Sequence, residues 1–140
     1  MISNATPIIC LSKINQLVLL KRLFENIIIS PSVQNEILIK DKPGYFDIVR
    51  AIEEGWIKII EPKSKMEFGL GSGENSVINL AIERKDKLII DDAFAIKVTK
   101  AFNIPIIRTT TVLFIALQKN IISKEQTIKF LNQLIENGYY

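Results

Sequence analysis

Two aspartates, Asp91 and Asp92, follow directly on the apolar run Leu88-Ile89-Ile90. Other oxygen-bearing side chains stand at comparable places: Asn4 after a short opening run, Glu36 one turn into the helical pattern after Ile27-Ile28-Ile29, and Glu74 at the head of the pattern that follows a glycine-rich stretch. Arg108 and Thr109 come straight after Ile106-Ile107. Open α/β sheets bind ligands beyond the carboxyl ends of their strands. If these runs are strands of one such sheet, four carboxylates converge on one edge. Mg2+ and Mn2+ prefer carboxylate and water oxygens, and crowded carboxylates repel one another until a divalent cation relieves them. A site of that kind activates water against a phosphodiester, with one or two metals. Each residue taken singly also has a plainer reading. Glu74 suits the positive end of its helix, Asp91-Asp92 suits a turn with an N-cap, and Glu36 suits a solvated helix face.

Other chemistry is excluded by composition. There is no histidine and Cys10 is the only cysteine, which rules out Cys/His zinc sites, an intramolecular disulfide, and Ser–His or Cys–His nucleophiles. Cys10 lies within Pro7-Ile8-Ile9-Cys10-Leu11 and reads as a buried, inert thiol. The stretch Gly69-Leu70-Gly71-Ser72-Gly73-Glu74 fails the dinucleotide fingerprint, because Glu74 replaces the third glycine, and it lacks the Lys-Ser/Thr ending of a phosphate loop. The net charge of +3, from 18 basic and 15 acidic residues, permits a polyanionic partner without requiring one.

The elements that must position these residues follow from periodicity. Met1 to Asn4 reads as a short strand, and Thr6 to Phe24 as a helical pattern broken near Asn15. Ile27-Ile28-Ile29 is a buried strand. Ser30-Pro31 opens a helix through Val33 and Ile37, which Asp41-Lys42-Pro43-Gly44 breaks. A helix from Tyr45 to Glu54 stops at Gly55, and Ile57 to Ile60 is a strand. Pro62 to Gly73 is a loop, and Gly73 to Lys85 a helix. Leu88 to Ile90 is a strand, Ala93 to Phe102 a helix, Ile104 to Ile107 a strand. Thr109 opens a helix through Leu117, and Ser123 with Gln126 forms the capping box of a last helix ending at Gly138. Strands alternating with helices imply βαβ units and a parallel sheet covered on both faces. At 140 residues, one domain spanning 1–140 is expected. The N-terminal segment lacks a basic leader and no apolar run is long enough to span a bilayer, so a cytoplasmic location and no membrane contact are expected.

The ordered set Ser3-Asn4-Ala5-Thr6-Pro7-Ile8-Ile9, Glu36, Gly73-Glu74-Asn75-Ser76-Val77-Ile78 and Leu88-Ile89-Ile90-Asp91-Asp92, with Ile104-Pro105-Ile106-Ile107 and Thr109 behind it, resembles the PIN-domain family. The likeness covers almost the whole chain and is greatest to a small archaeal and bacterial branch with a GE helix start and a DD strand end. The resemblance implies a three-layer α/β/α sandwich with a central parallel sheet. It implies an Mg2+- or Mn2+-dependent ribonuclease, of the kind found as toxins of toxin–antitoxin pairs. RNA, an antitoxin protein and a second copy in a homodimer are the implied partners. Carried over, Glu36, Glu74 and Asp92 are metal-site carboxylates, Asp91 a ligand or support residue, and Thr109 a neighbour that orients water or a ligand. Two positions depart from the pattern. Asn4 stands where an aspartate is usual, offering a carbonyl oxygen without charge. Ile96 stands where the branch tends to carry a basic residue, with Lys97 adjacent.

Lys13, Arg84, Lys97 and Arg108 are the candidate RNA contacts, and phosphate contacts of this kind are salt-sensitive. The aromatic tail Tyr139-Tyr140 and the apolar helix faces leave room for dimerisation. The alternative reading, motivated by Asn4, is a PIN-like domain of weakened or lost catalysis that binds RNA or protein.

Overall fold

The computed structural model describes residues 1–139; Tyr140 lies outside the described residues. Five short strands make the central sheet: β1 (Ile2–Ser3), β2 (Ile27–Ile29), β3 (Ile57–Ile59), β4 (Leu88–Ile89) and β5 (Ile106–Ile107). Their order is β3-β2-β1-β4-β5, and every pairing is parallel. The strands are isoleucine-rich because a parallel sheet is covered on both faces and leaves no side for polar residues. Ile2, Ile27, Ile29, Leu88 and Ile89 are all fully buried.

Eight helices complete the described residues: α1 (Ala5–Lys13), α2 (Val18–Phe24), α3 (Pro31–Ile37), α4 (Tyr45–Glu54), α5 (Ser72–Arg84), α6 (Ala93–Ala101), α7 (Thr109–Gln118) and α8 (Lys124–Glu136). α1 packs against α4, α7 and α8, and α2 against α7, forming one layer. α5 packs directly on β1 and β4. Because chain order reverses direction across the sheet at β1, right-handed crossovers put α5 and α6 on the opposite face. The three-layer α/β/α sandwich with a parallel sheet, expected from the alternation of elements, is what the chain forms.

The local signals act as the sequence predicts. Ser30 caps α3 by accepting from the Val33 amide, with Pro31 at the first helical position. Ser123 and Gln126 exchange bonds as a capping box. The break near Asn15 is a left-handed residue (φ 58°) between α1 and α2. Four strands are shorter than expected: β1 loses Met1 and Asn4, β3 loses Ile60, and β4 and β5 are cut to two residues each. Ile90 lies past β4, although its amide still donates to the Ile107 carbonyl (2.9 Å). Ile104 and Pro105 precede β5, and Pro105, lacking an amide hydrogen, contributes only its carbonyl to Leu88.

Residues following the strands share one edge. By register, Asn4 is flanked by Ser30 on the β2 side and Ile90 on the β4 side. That row is where the candidate residues are met.

Candidate metal centre

Asn4 is the middle of the edge. It is the N-cap of α1 and almost fully buried (2% exposed), with its amide held by the Ile89 carbonyl at 3.0 Å. An N-cap asparagine ordinarily accepts from an amide in the first helical turn. Asn4 makes no such bond, and its Oδ1 is buried without a hydrogen-bond partner. Leaving a buried acceptor unpaired costs about 1–3 kcal/mol, a cost that a water or a cation at this oxygen would offset.

On the β2 side, Glu36 in the last turn of α3 meets Glu74 in the first turn of α5. Ser30 joins the two helices, its Oγ 2.6 Å from the Ser76 Oγ, and Ser76 donates to the Gly73 carbonyl (2.7 Å). The glycines of the loop make the approach possible. A Cβ on Gly73 would overlap a Glu36 carboxylate oxygen, and one on Gly71 would crowd the Glu74 carboxylate. Partial burial, and then the charge of Glu74, hold the Glu36 carboxyl above the usual carboxylate range. Neither carboxylate has a salt-bridge partner among the described residues. A divalent cation would relieve this crowding.

The loop entering α5 is fixed by two asparagines one turn apart. Asn79 accepts from the Met66 amide (3.2 Å) and donates to the Met66 carbonyl (3.0 Å), as a strand partner would. Asn75 accepts from the Phe68 amide (3.2 Å) and donates to Glu67 (2.7 Å). A polar cleft of about 350 Å3, lined in part by Ser30, Ser72 and Ser76, opens between this loop and α3.

On the β4 side, Asp91 is fully engaged. Its Oδ1 accepts from the Thr109 amide (3.0 Å) and the Tyr139 hydroxyl (2.6 Å), and its Oδ2 accepts from the Thr109 hydroxyl (2.6 Å). Arg108 lies over it, Nε 3.8 Å from Oδ1, and donates through Nη2 to the Asp91 carbonyl (3.0 Å). Burial, followed by the hydrogen bond to Asp91 and its charge, pushes the Tyr139 phenol above its ordinary value. Asp92 points outward as the N-cap of α6, accepting from the Ala95 amide (2.8 Å). Cys10, on α1, is half-buried rather than fully buried. Burial, and then the charge of Asp91, push its thiol up and keep it unreactive.

The four carboxylates expected to converge therefore divide into two groups. Among the described residues, no three Asp, Glu or Cys side chains gather closely enough to hold one ion. The reason is topological: β1 separates β2 from β4, so residues that follow those strands start two strand spacings apart, roughly 10 Å. Only the residue after β1 bridges them, and here it is neutral. The fit to a hard cation rests on the β2 side, where the Glu36 and Glu74 carboxylates offer oxygen donors alone.

The basic candidates divide as well. Lys13 reaches the edge, lining a cavity of about 140 Å3 together with Glu36. Arg108 lies on Asp91, and Lys97 is exposed in the second turn of α6. Arg84 does not join them. It ends α5, whose 13 residues span about 20 Å, and its charge acts on Asp86, which binds the N-terminal amine ahead of β1 at the opposite edge. Tyr139 was visible in the sequence only as part of an aromatic tail. The signal for its role is Gly138, which takes a left-handed conformation (φ 92°) just past α8 and turns the chain back.

The comparisons with known proteins agree with this fold. A family model described as PIN domain matches residues 1–140, so the chain belongs to the PIN-domain family. In a search of solved structures, a PilT N-terminus domain protein from the hyperthermophilic archaeon Sulfolobus solfataricus is similar in fold. The TM-score is 0.54 at 21% identity, over 84% of this chain and 94% of that one. No curated protein matched. PIN domains are nuclease-like modules that generally use divalent metals and bind RNA. No helix among the described residues is long and apolar enough to cross a membrane.

Proposed function

We propose that this PIN domain is an Mg2+- or Mn2+-dependent endoribonuclease acting as the toxin of a toxin–antitoxin pair, working as a homodimer in the cytoplasm. The observation that carries the metal-dependent part is the crowding of the Glu36 and Glu74 carboxylates at two glycines, with no salt-bridge partner for either among the described residues. Glu36 and Glu74 hold the ion, with the Asn4 carbonyl oxygen as a neutral third donor. The bound ion supplies Lewis acidity and an activated water for phosphodiester hydrolysis. Lys13, beside Glu36, takes a phosphate oxygen of the RNA. Asp91, Thr109 and Tyr139 fix the neighbouring strand ends. Asp92, with its second oxygen uncommitted, faces the solvent side of the same edge.

The test is cleavage of a mixed RNA pool by purified protein with Mn2+, with Mg2+ and with chelator. A Glu36→Gln, Glu74→Gln variant serves as the contamination control. Metal-dependent cleavage that disappears in the variant supports the reading; cleavage that persists in it defeats the assignment of these residues. The toxin assignment predicts that expression arrests growth in the wild type and not in the variant.

Asn4 favours a second reading, a PIN domain that binds RNA without cutting it. Folded protein that binds RNA yet leaves it intact with every divalent ion tried, and gains cleavage on Asn4→Asp, would establish that reading.

A further inference from the structure

The α3–α4 connection and the first turn of α4 carry the most exposed aromatic side chain among the described residues. Phe46, in the first turn of α4, is 79% exposed, and Ile39 at the start of the connection is 48% exposed. Single exposed apolar residues are ordinary, but here they rim a hollow. Lys40, Asp41, Lys42, Pro43, Tyr45 and Phe46 line a cavity of about 650 Å3, two cations against one carboxylate, which shares Lys42 and Pro43 with the small cavity holding Lys13 and Glu36. The Tyr45 and Phe46 rings meet at a steep angle of 77°, with centroids 5.4 Å apart, and Phe46 still shows most of its surface to solvent. Lys13, Lys40 and Lys42 form no salt bridge among the described residues.

The hollow is built rather than floppy. Gly44 adopts a left-handed conformation (φ 86°) and lies so close to Ser12 of α1 that any Cβ would overlap it. Ser12 is buried and bonded to the Ile8 carbonyl (2.7 Å). The Lys42 carbonyl accepts from the Tyr45 amide (3.2 Å). The turn is thereby locked onto α1 beside Lys13. A highly exposed aromatic ring near lysines that outnumber the one carboxylate can hold unpaired nucleotides, since a base stacks on the ring and the phosphates meet the cations.

We infer that residues 39–46 form a platform for single-stranded RNA, with one unpaired base on Phe46 and the adjacent backbone running past Lys42 and Lys13 toward Glu36. The strand's direction onto Glu36 rests on the proposed nuclease reading; the platform itself does not. The platform favours an unstacked base over one inside a duplex, whose two faces are covered by its neighbours in the stack.

Binding is measured by fluorescence anisotropy of a short, labelled, unstructured RNA in chelator, so that no metal-dependent step contributes. Wild type binds the single strand more tightly than the same sequence annealed to its complement. Phe46→Ala, at an exposed position, leaves the melting temperature in place and weakens binding roughly tenfold. Lys42→Gln lowers the slope of log affinity against log salt by about 0.7. The platform is overturned if wild type binds no RNA, if duplex binds equally, or if Phe46→Ala binds as wild type does. Phe46→Ala that only converts a dimer to a monomer, with RNA affinity unchanged, assigns the face to a second copy and overturns it too. With Mn2+ present, metal-dependent cleavage with an unaltered KM in Phe46→Ala sinks the platform alone. Lost binding in Phe46→Ala, with no cleavage by wild type, sinks the nuclease alone.

Discussion

The two sides of the sheet edge hold the same kind of group in opposite circumstances. Asp91 has every strong partner a carboxylate can use: an amide and a hydroxyl from Thr109, a phenol from Tyr139 and the guanidinium of Arg108. Glu36 and Glu74 have each other, and partial burial, followed by the charge of Glu74, pushes the Glu36 carboxyl toward its neutral form. A satisfied carboxylate ties the structure together, whereas crowded carboxylates without a cationic partner repel one another. Asn4 stands between them with an unpaired oxygen, at the one position where a negative charge would join both sides into a single acidic site.

The most severe way to break this contrast is to neutralise the frustrated pair. Glu36→Gln with Glu74→Gln should abolish the rise in melting temperature on adding Mn2+. Cleavage should fall by more than the roughly 10- to 100-fold that loss of a mere supporting partner costs. Joining the two sides comes next. Asn4→Asp should raise Mn2+ affinity by at least about tenfold in calorimetry, while lowering the stability of the metal-free protein, since a buried carboxylate is then unpaired.

Gly73→Ala separates stability from binding. Alanine favours a helix by about 0.5–1 kcal/mol over glycine, and the atom its Cβ would displace is the tip of the Glu36 side chain. Thermal stability should hold or rise while Mn2+ affinity falls. A loss of both would mean that Gly73 serves backbone packing instead.

The two sides should also titrate differently. The Glu36 carboxyl is raised in the folded protein, so the stability it contributes is complete below its unfolded value of about 4.5 and is lost as pH rises through the folded value. Glu36→Gln should therefore flatten that loss in metal-free unfolding curves. Tyr139, also raised, stabilises fully below its unfolded value of about 10.0 and ceases to do so as alkali ionises it in the folded state. Tyr139→Phe should cost about 0.5–1.5 kcal/mol at neutral pH and show a smaller alkaline loss. Its effect on Mn2+ affinity should be slight, and a large one would place Asp91 in the metal site.

Much of this was legible in the residues because it is local. Ser30-Pro31, the Ser123–Gln126 box and the glycine after α4 act over a single turn, so their spacing is enough to read them. The candidate site was legible only as a set of positions after strands. Arg84 looked as eligible as Lys13 until the length of α5 carried it to the opposite edge. Tyr139 lies 48 residues from Asp91 in the chain, and no pattern of neighbours announces that bond. The glycine-rich stretch before α5 suggested a phosphate loop and failed its spacing; its purpose is room for two carboxylates.

The sequence by itself determined the elements, their parallel arrangement and the edge on which the chemistry gathers, because hydrophobic period and helix caps are properties of contiguous residues. Only the tertiary structure decided which carboxylates are free. That depends on strand order, which places β1 between Glu36 and Asp91, and on the side chains that reach across from distant turns to satisfy one and leave the other exposed to its neighbour's charge.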